Sequence, residues 1–215
     1  MTFFMTFEGI EGSGKSTQIR TLKEHLERCG HLVVATREPG GCPIADAIRA
    51  ILLDPANQAL VTRTELLLYA AARAQHVEQV IRPALADGAI VLCDRFVDAT
   101  TAYQGGGRGL DAVLVAALNA IASGGLTPDL TLLLDVPVEL GLSRARQRNR
   151  QSPCFAEGRF ELEELDFHQR VRTAYLTLAA REARFRIIDA GGAEQLVAAR
   201  VAAAVDDFLA RAGSA

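Results

Sequence analysis

Cysteine is scarce and scattered. The chain has four, Cys29, Cys42, Cys93 and Cys154, and no two form a C-x-x-C pair. That spacing argues against a structural zinc site or a disulfide framework and fits a reducing cytosol. Lysine is scarcer still, with Lys15 and Lys23 standing alone among 23 basic residues. No uninterrupted apolar run approaches bilayer-spanning length, so no membrane-spanning helix is expected. The apolar opening from Met1 to Phe7 lacks a basic leader and a small-residue cleavage site, and is expected to be a first β-strand, not a signal peptide. Positive charge is not in excess either. The formal net charge of -3 does not favour stable binding along a nucleic-acid backbone. Internal repeats, low-complexity tracts and Pro/Ser-rich linkers are also missing, so the 215 residues are expected to form a single domain, 1–215, carrying at most a mobile insertion.

What is present is an alternation of short apolar runs and longer stretches of helical period. Strands are expected at Phe3–Phe7, Leu32–Thr36, Ala89–Cys93, Leu130–Asp135 and Phe185–Ile188. Helices are expected at Lys15–Cys29, Ile44–Leu53, Thr64–Ala86, Ala112–Ser123, Glu139–Gln147, Leu162–Ala183 and Ala193–Arg211. Runs such as Thr131-Leu132-Leu133-Leu134 are apolar on both faces, as befits strands covered by helices on either side. The alternation implies right-handed crossovers and an α/β fold, a doubly wound five-stranded parallel sheet with helices on both faces. The segment from Arg148 to Gly158, with Pro153 and several arginines between two helices, reads equally well as a mobile lid or as a solvated basic loop.

Gly9-Ile10-Glu11-Gly12-Ser13-Gly14-Lys15-Ser16 satisfies G-x-x-x-x-G-K-[ST], directly after an expected strand and directly before an expected helix. Glycines let successive backbone N–H groups converge on phosphates, and the following helix aims its N-terminal dipole at the same anion. In such P-loops the lysine, here Lys15, bridges the β- and γ-phosphates, and the hydroxyl of Ser16 ligates Mg²⁺. A chance glycine-rich turn is the competing explanation, disfavoured by the flanking strand and helix. A chain that nearly always uses arginine has kept lysine where phosphate chemistry wants a compact ammonium.

The pattern points to nucleotide binding and is nearly silent about the use made of the nucleotide. A guanine-specific switch usually carries Asn-Lys-x-Asp, which this chain lacks. Asp94, at the carboxyl end of the third expected strand, is placed to hold Mg²⁺ or its water as a Walker B aspartate does. Arg95 comes immediately after it and suggests a second anion nearby, although a surface Asp-Arg ion pair would read the same in isolation. Thr100, Tyr103 and Gln104, ahead of three glycines, supply hydrogen-bonding and aromatic groups close behind.

Phe7-Glu-Gly-Ile-Glu-Gly-Ser-Gly-Lys-Ser-Thr17, Thr36-Arg-Glu-Pro-Gly-Gly41, Asp94-Arg-Phe and Ala102-Tyr-Gln-Gly-Gly-Gly-Arg-Gly109, in this order, resemble the thymidylate kinases over nearly the whole chain. The resemblance implies a P-loop NTPase-type fold, transfer of phosphate from ATP to dTMP with Mg²⁺, a cytoplasmic enzyme, and a homodimer without nucleic-acid or membrane partners. It implies that residues from Gly9 through Thr17 hold ATP and that Ser16 and Asp94 hold the metal. It further implies that Tyr69 stacks on thymine where the family usually has Phe, and that Arg73 reaches the base or monophosphate. Arg49 and Arg95 would hold the dTMP phosphate, with Glu38 of the R-E-P-G-G stretch on the same acceptor side. Thr100 and Gln104 would meet the pyrimidine edge, and Tyr103 would pack under the sugar where a 2′-hydroxyl would sit. Glu11 matches an acidic residue near the acceptor's sugar and the metal. The P-loop itself carries no arginine, which resembles the bacterial-type subclass with its catalytic arginine in a lid, here about 148–160. Arg148 matches best and Arg159 next, among Arg144, Arg146 and Arg150. Two rivals remain open: a kinase for another nucleoside monophosphate or deoxynucleoside, and a P-loop switch or binding module without an acceptor.

Overall fold

The computed structural model describes residues 2–151, 159–160 and 163–213. Five strands form one parallel sheet: β1 (Phe3–Glu8), β2 (Val33–Arg37), β3 (Ile90–Asp94), β4 (Leu130–Asp135) and β5 (Phe185–Asp189), in the order β2-β3-β1-β4-β5. The chain winds to one side of β1 for β2 and β3 and to the other for β4 and β5, so a crevice opens at the carboxyl end of β1, where open α/β sheets bind ligands. Register makes the strand ends level there, pairing Phe7 and Arg37 each with Asp94. Both faces of the three central strands, β1, β3 and β4, are dry, as the apolar runs implied. Met5, Phe7, Leu132 and Leu134 sit in one core cluster, and Phe4, Val91 and Phe96 sit in another. Each such side chain contributes roughly 1.5–3 kcal/mol on burial.

The α-helices are α1 (Lys15–Arg28), α2 (Pro43–Leu53), α3 (Thr62–His76), α4 (Arg82–Ala86), α5 (Val97–Thr100), α6 (Ala112–Ser123), α7 (Val138–Gln151), α8 (Leu165–Arg181) and α9 (Glu194–Ala212). Ile19, Leu22 and Leu26 carry the buried face of α1 against the core. The single helix expected over Thr64–Ala86 is instead interrupted by a π-helical turn, Val77–Ile81, which joins α3 to α4. Pro83 has no N–H for the carbonyl one turn back, and the ladder widens so that the Arg82 N–H reaches the carbonyl of Val77.

Two further expectations need correcting. No helix was expected behind Arg95, yet the stretch is helical: α5 runs into a π-helical segment, Thr101–Gly107. Its glycines are close-approach positions, since a Cβ on Gly106 would meet that of Ala174 at 2.6 Å and one on Gly107 would meet the Phe167 ring at 2.6 Å. α7 also continues past Gln147 to Gln151, so Arg148 sits on its last turn, not in a loop. Arg148, Arg150 and Gln151 in that turn are good helix formers, and the first strong breaker is Pro153. Most of the lid expected at about 148–160 lies outside the described residues.

Candidate active site

A cavity of about 660 Å³ opens over the carboxyl ends of β1 and β3, walled by the loop before α1, by α2, α3 and the end of α7, and by the helical stretch from Phe96 to Gln104. At one end stands the P-loop. Gly12 takes φ 69°, and a Cβ there would lie 1.9 Å from the carbonyl oxygen of Gly141, so only glycine lets this loop lie against α7. Gly14, at φ 94°, caps α1, which begins with Lys15 on the cavity wall. Lys15 Nζ donates to the carbonyls of Gly9 and Ile10, both at 3.1 Å. Burial, reinforced by the nearby Arg95 guanidinium, lowers its pKa to about 8. Ser16 Oγ donates to Asp94 Oδ2 at 2.9 Å, which joins the two residues assigned to the metal.

The middle of the cavity is organised around Arg95. Its Nη2 donates to Glu11 Oε1 at 3.1 Å and to the hydroxyl of Tyr103 at 3.0 Å, with the guanidinium 4.8 Å above the Tyr103 ring. The Tyr103 hydroxyl in turn donates to Glu11 Oε1 at 2.6 Å. The second carboxylate oxygen of Glu11 faces His168 Nδ1 at 3.3 Å, an ion-pair distance without hydrogen-bond alignment. Burial opposes ionisation of Glu11, but His168, Arg95 and Tyr103 together outweigh it and hold the carboxyl at about 2. Glu11 is therefore a carboxylate at neutral pH.

The far end is built on one face of α3, where Glu65, Tyr69 and Arg73 recur every four residues. Tyr69 is half-buried on the cavity wall. Arg73 also lines the cavity but is almost fully held: Nε donates to Glu38 Oε2 at 2.7 Å, Nη1 to Asn119 at 2.9 Å, and Nη2 to the Phe96 carbonyl and Thr100 Oγ1, both at 2.9 Å. Thr100 is buried beneath it. Gln104 Nε2 donates to Glu65 Oε1 at 2.8 Å. Arg49 Nη1 donates to the Pro39 carbonyl at 2.7 Å.

Most residues singled out from the sequence line this one cavity, from Glu11, Lys15 and Ser16 to Arg49, Tyr69, Arg95 and Tyr103. Gly9, Ile10, Ser13 and Arg159 are not on its wall. The first three form the underside of the P-loop. Arg159 is buried between α2 and α3, donating to the Leu52 carbonyl at 2.6 Å and to Glu65 in a very short contact. Arg148 is exposed at the cavity mouth beside Asn149. Sequence reasoning missed Glu65, Asn119 and His168. Only Glu65 had a visible signal, one helical turn before Tyr69.

A cation-rich end at a helix N-terminus, a second cationic group at Arg95 and Arg49, and a flat ring beyond suit two phosphorylated ligands meeting in the middle. The thymidylate kinase family model matches residues 7–201. Thymidylate kinase of Trichlorobacter lovleyi is 60% identical over 96% of both chains. That of Geobacter sulfurreducens is 59% identical over 94% of this chain and 95% of its own. The crystal structure of thymidylate kinase from Ehrlichia chaffeensis superposes with a TM-score of 0.75 at 31% identity, covering 94% of this chain and 98% of that one. The chain belongs to the thymidylate kinase family.

Proposed function

We propose that the protein transfers the γ-phosphoryl group of ATP to dTMP, giving ADP and dTDP, as a cytosolic homodimer of the subclass with a lid-borne arginine. The observation that carries the reading is the distance structure of the cavity: a P-loop at one end, an arginine locked between Glu11 and Tyr103 in the middle, and Tyr69 with Gln104 at the other. ATP lies along the P-loop N–H groups, with Lys15 turning from its loop carbonyls onto the β- and γ-phosphates. dTMP enters with its base over Tyr69 and its phosphate between Arg49 and Arg95. Arg73 and Thr100, fixed on each other, present a preset hydrogen-bonding edge. Glu38 shapes this end by holding Arg73 and His76, whose Nδ1 donates to it at 3.0 Å.

Ser16 and Asp94 fit a magnesium ion, since their paired oxygens are hard donors and no cluster of three or more His, Cys, Asp or Glu competes among the described residues. When bound with ATP, Mg²⁺ would neutralise charge on the β- and γ-oxygens. The fixed protein groups contribute positioning and charge matching, which is most of what phosphoryl transfer asks of an enzyme.

An acceptor panel of dTMP, dUMP, dCMP, dGMP, ribothymidine monophosphate and thymidine tests the assignment, and dTMP is expected to give the highest kcat/KM. Preference for another acceptor, or ATP turnover indifferent to all of them, would sink it. The same panel on Tyr103→Ala is expected to narrow the dTMP-to-ribothymidine-monophosphate ratio, because the ring is immobilised against Phe160 and Tyr175 and cannot yield to a 2′-hydroxyl. An unchanged ratio would place the sugar gate elsewhere.

The homodimer is supported by α6, which carries no charged residue and exposes Val113, Ile121 and the alanines between them. Val113 and Ile121 are 77% and 76% exposed, an apolar face suited to a second copy of itself. Sedimentation equilibrium is expected to return twice the chain mass. A monomer at micromolar concentration would refute it.

A further inference from the structure

Two buried residues outside the roles above converge on Arg95. Its backbone is left-handed, φ 69°, alone among the described non-glycine residues. Such a conformation costs on the order of 1–3 kcal/mol and persists where the surroundings over-determine it. Here the Arg95 N–H donates to the Phe7 carbonyl at 2.9 Å, and the next amide, Phe96 N–H, donates to Glu8 Oε1 at 2.8 Å. The other oxygen of the same carboxyl, Glu8 Oε2, accepts from the Tyr175 hydroxyl at 2.7 Å. That hydroxyl accepts from Arg95 Nη1 at 3.1 Å. Glu8 thus reaches Arg95 twice, through the amide behind its backbone and through Tyr175 to its guanidinium. Both residues are almost wholly buried, Tyr175 at 1% exposure and Glu8 at 0%.

Part of the guanidinium is left over for a ligand. Both Nη2 hydrogens are taken by Glu11 and Tyr103, and one Nη1 hydrogen by Tyr175. Nε–H and the second Nη1 hydrogen have no protein acceptor among the described residues, and the side chain lines the cavity. An unrestrained arginine carries about 2 kcal/mol of rotamer entropy that an anion must suppress on binding. A guanidinium already gripped from two sides spares the ligand that cost.

We propose that Tyr175 and Glu8 are positioning residues that brace Arg95 for the phosphate of the acceptor, so that they govern affinity for a nucleotide without governing affinity for its nucleoside. The proposal rests on the reading of Arg95 as a ligand of the dTMP phosphate. A merely structural role would weaken both ligands alike, and thymidine, which lacks the phosphate, separates the two.

Calorimetric binding of dTMP and of thymidine to the full chain decides it, using Tyr175→Phe, Glu8→Gln, Arg95→Ala and the double variant Tyr175→Phe/Arg95→Ala. Tyr175→Phe keeps the buried ring and removes only the hydroxyl. Its Kd for dTMP is expected to rise about tenfold, with thymidine held within about twofold, as for loss of one charge-assisted hydrogen bond. Glu8→Gln retains an acceptor for Phe96 N–H but sets an amide donor against Tyr175, and is expected to shift the same ratio in the same direction. In the Arg95→Ala background Tyr175→Phe is expected to add nothing. Equal losses for dTMP and thymidine, or parent affinity for dTMP in Tyr175→Phe, would overturn the brace while leaving Arg95 in place. If Arg95→Ala itself binds dTMP like the parent, the phosphate assignment fails and the brace with it. Should Tyr175→Phe not fold, by loss of its thermal transition, Glu8→Gln carries the decision on the same criteria.

Discussion

Replacing Lys15 by alanine is expected to lower kcat by on the order of 10³ or more while leaving the protein folded. The loss stems from where Nζ stands. It is the one ammonium on the P-loop wall, held at 3.1 Å from the carbonyls of Gly9 and Ile10 and able to swing from them to a phosphate. The surviving fold is explained by the same contacts. Removing Nζ breaks no ion pair among the described residues and costs the carbonyls of Gly9 and Ile10 one hydrogen bond each. Burial lowers its pKa to about 8, which still leaves Lys15 predominantly an ammonium at neutral pH. Single-turnover transfer from ATP to dTMP measures the loss, and thermal unfolding measures the fold. A variant with the parent's melting temperature and near-normal turnover would remove Lys15 from the reaction.

Why Lys15 was legible from sequence and Arg73 less so is a matter of range. The P-loop is a local device: its glycines, its lysine and the helix start lie within eight residues, and each is demanded by backbone geometry. The parallel sheet was legible for a similar reason, because strands such as Leu130–Asp135 are apolar on both faces and bounded by turn residues. Arg73 belongs to another kind of structure. Its partners Glu38 and Asn119 lie 35 and 46 residues away, and nothing in the helical period of α3 reveals that its guanidinium is spoken for. The same holds for Glu65, whose neighbour Arg159 is 94 residues distant. The π-helical segment Thr101–Gly107 failed for a tertiary reason too. Three consecutive glycines read as a loop by local preference, yet here they admit Ala174 and Phe167 of α8 to close contact.

That long-range packing sets apart the two arginines considered for the place between the two phosphates. Arg159 is only 8% exposed and is tied to Glu65 and to the Leu52 carbonyl, so in this conformation its guanidinium supports α2 and α3. Arg148 is exposed on the last turn of α7 and lines the cavity mouth. With no arginine in the P-loop, Lys15 is the one fixed cation of that loop, and Arg148 at the cavity mouth is placed to add charge between the two phosphates. An interaction made chiefly in the transition state lowers kcat when removed and leaves ground-state binding nearly intact. Arginine fingers in nucleotide hydrolases are worth on the order of 10³ to 10⁵. A smaller loss is expected for Arg148→Ala, on the order of 10² to 10³, because Arg146 and Arg150 flank it in sequence. Arg148→Lys is expected to recover part of the rate, since it restores charge without the planar fork. Arg159→Ala is expected to behave differently, lowering the melting temperature because Glu65 loses a buried partner, with a smaller effect on the chemical step. Single-turnover measurement on Arg148→Ala, Arg150→Ala and Arg159→Ala separates the cases, since slow product release would hide the effect in steady state. Parent-rate transfer by Arg148→Ala beside a slow Arg150→Ala or Arg159→Ala would move the role to another position. Parent-rate transfer by all three would mean that no arginine beyond the P-loop supplies the missing charge.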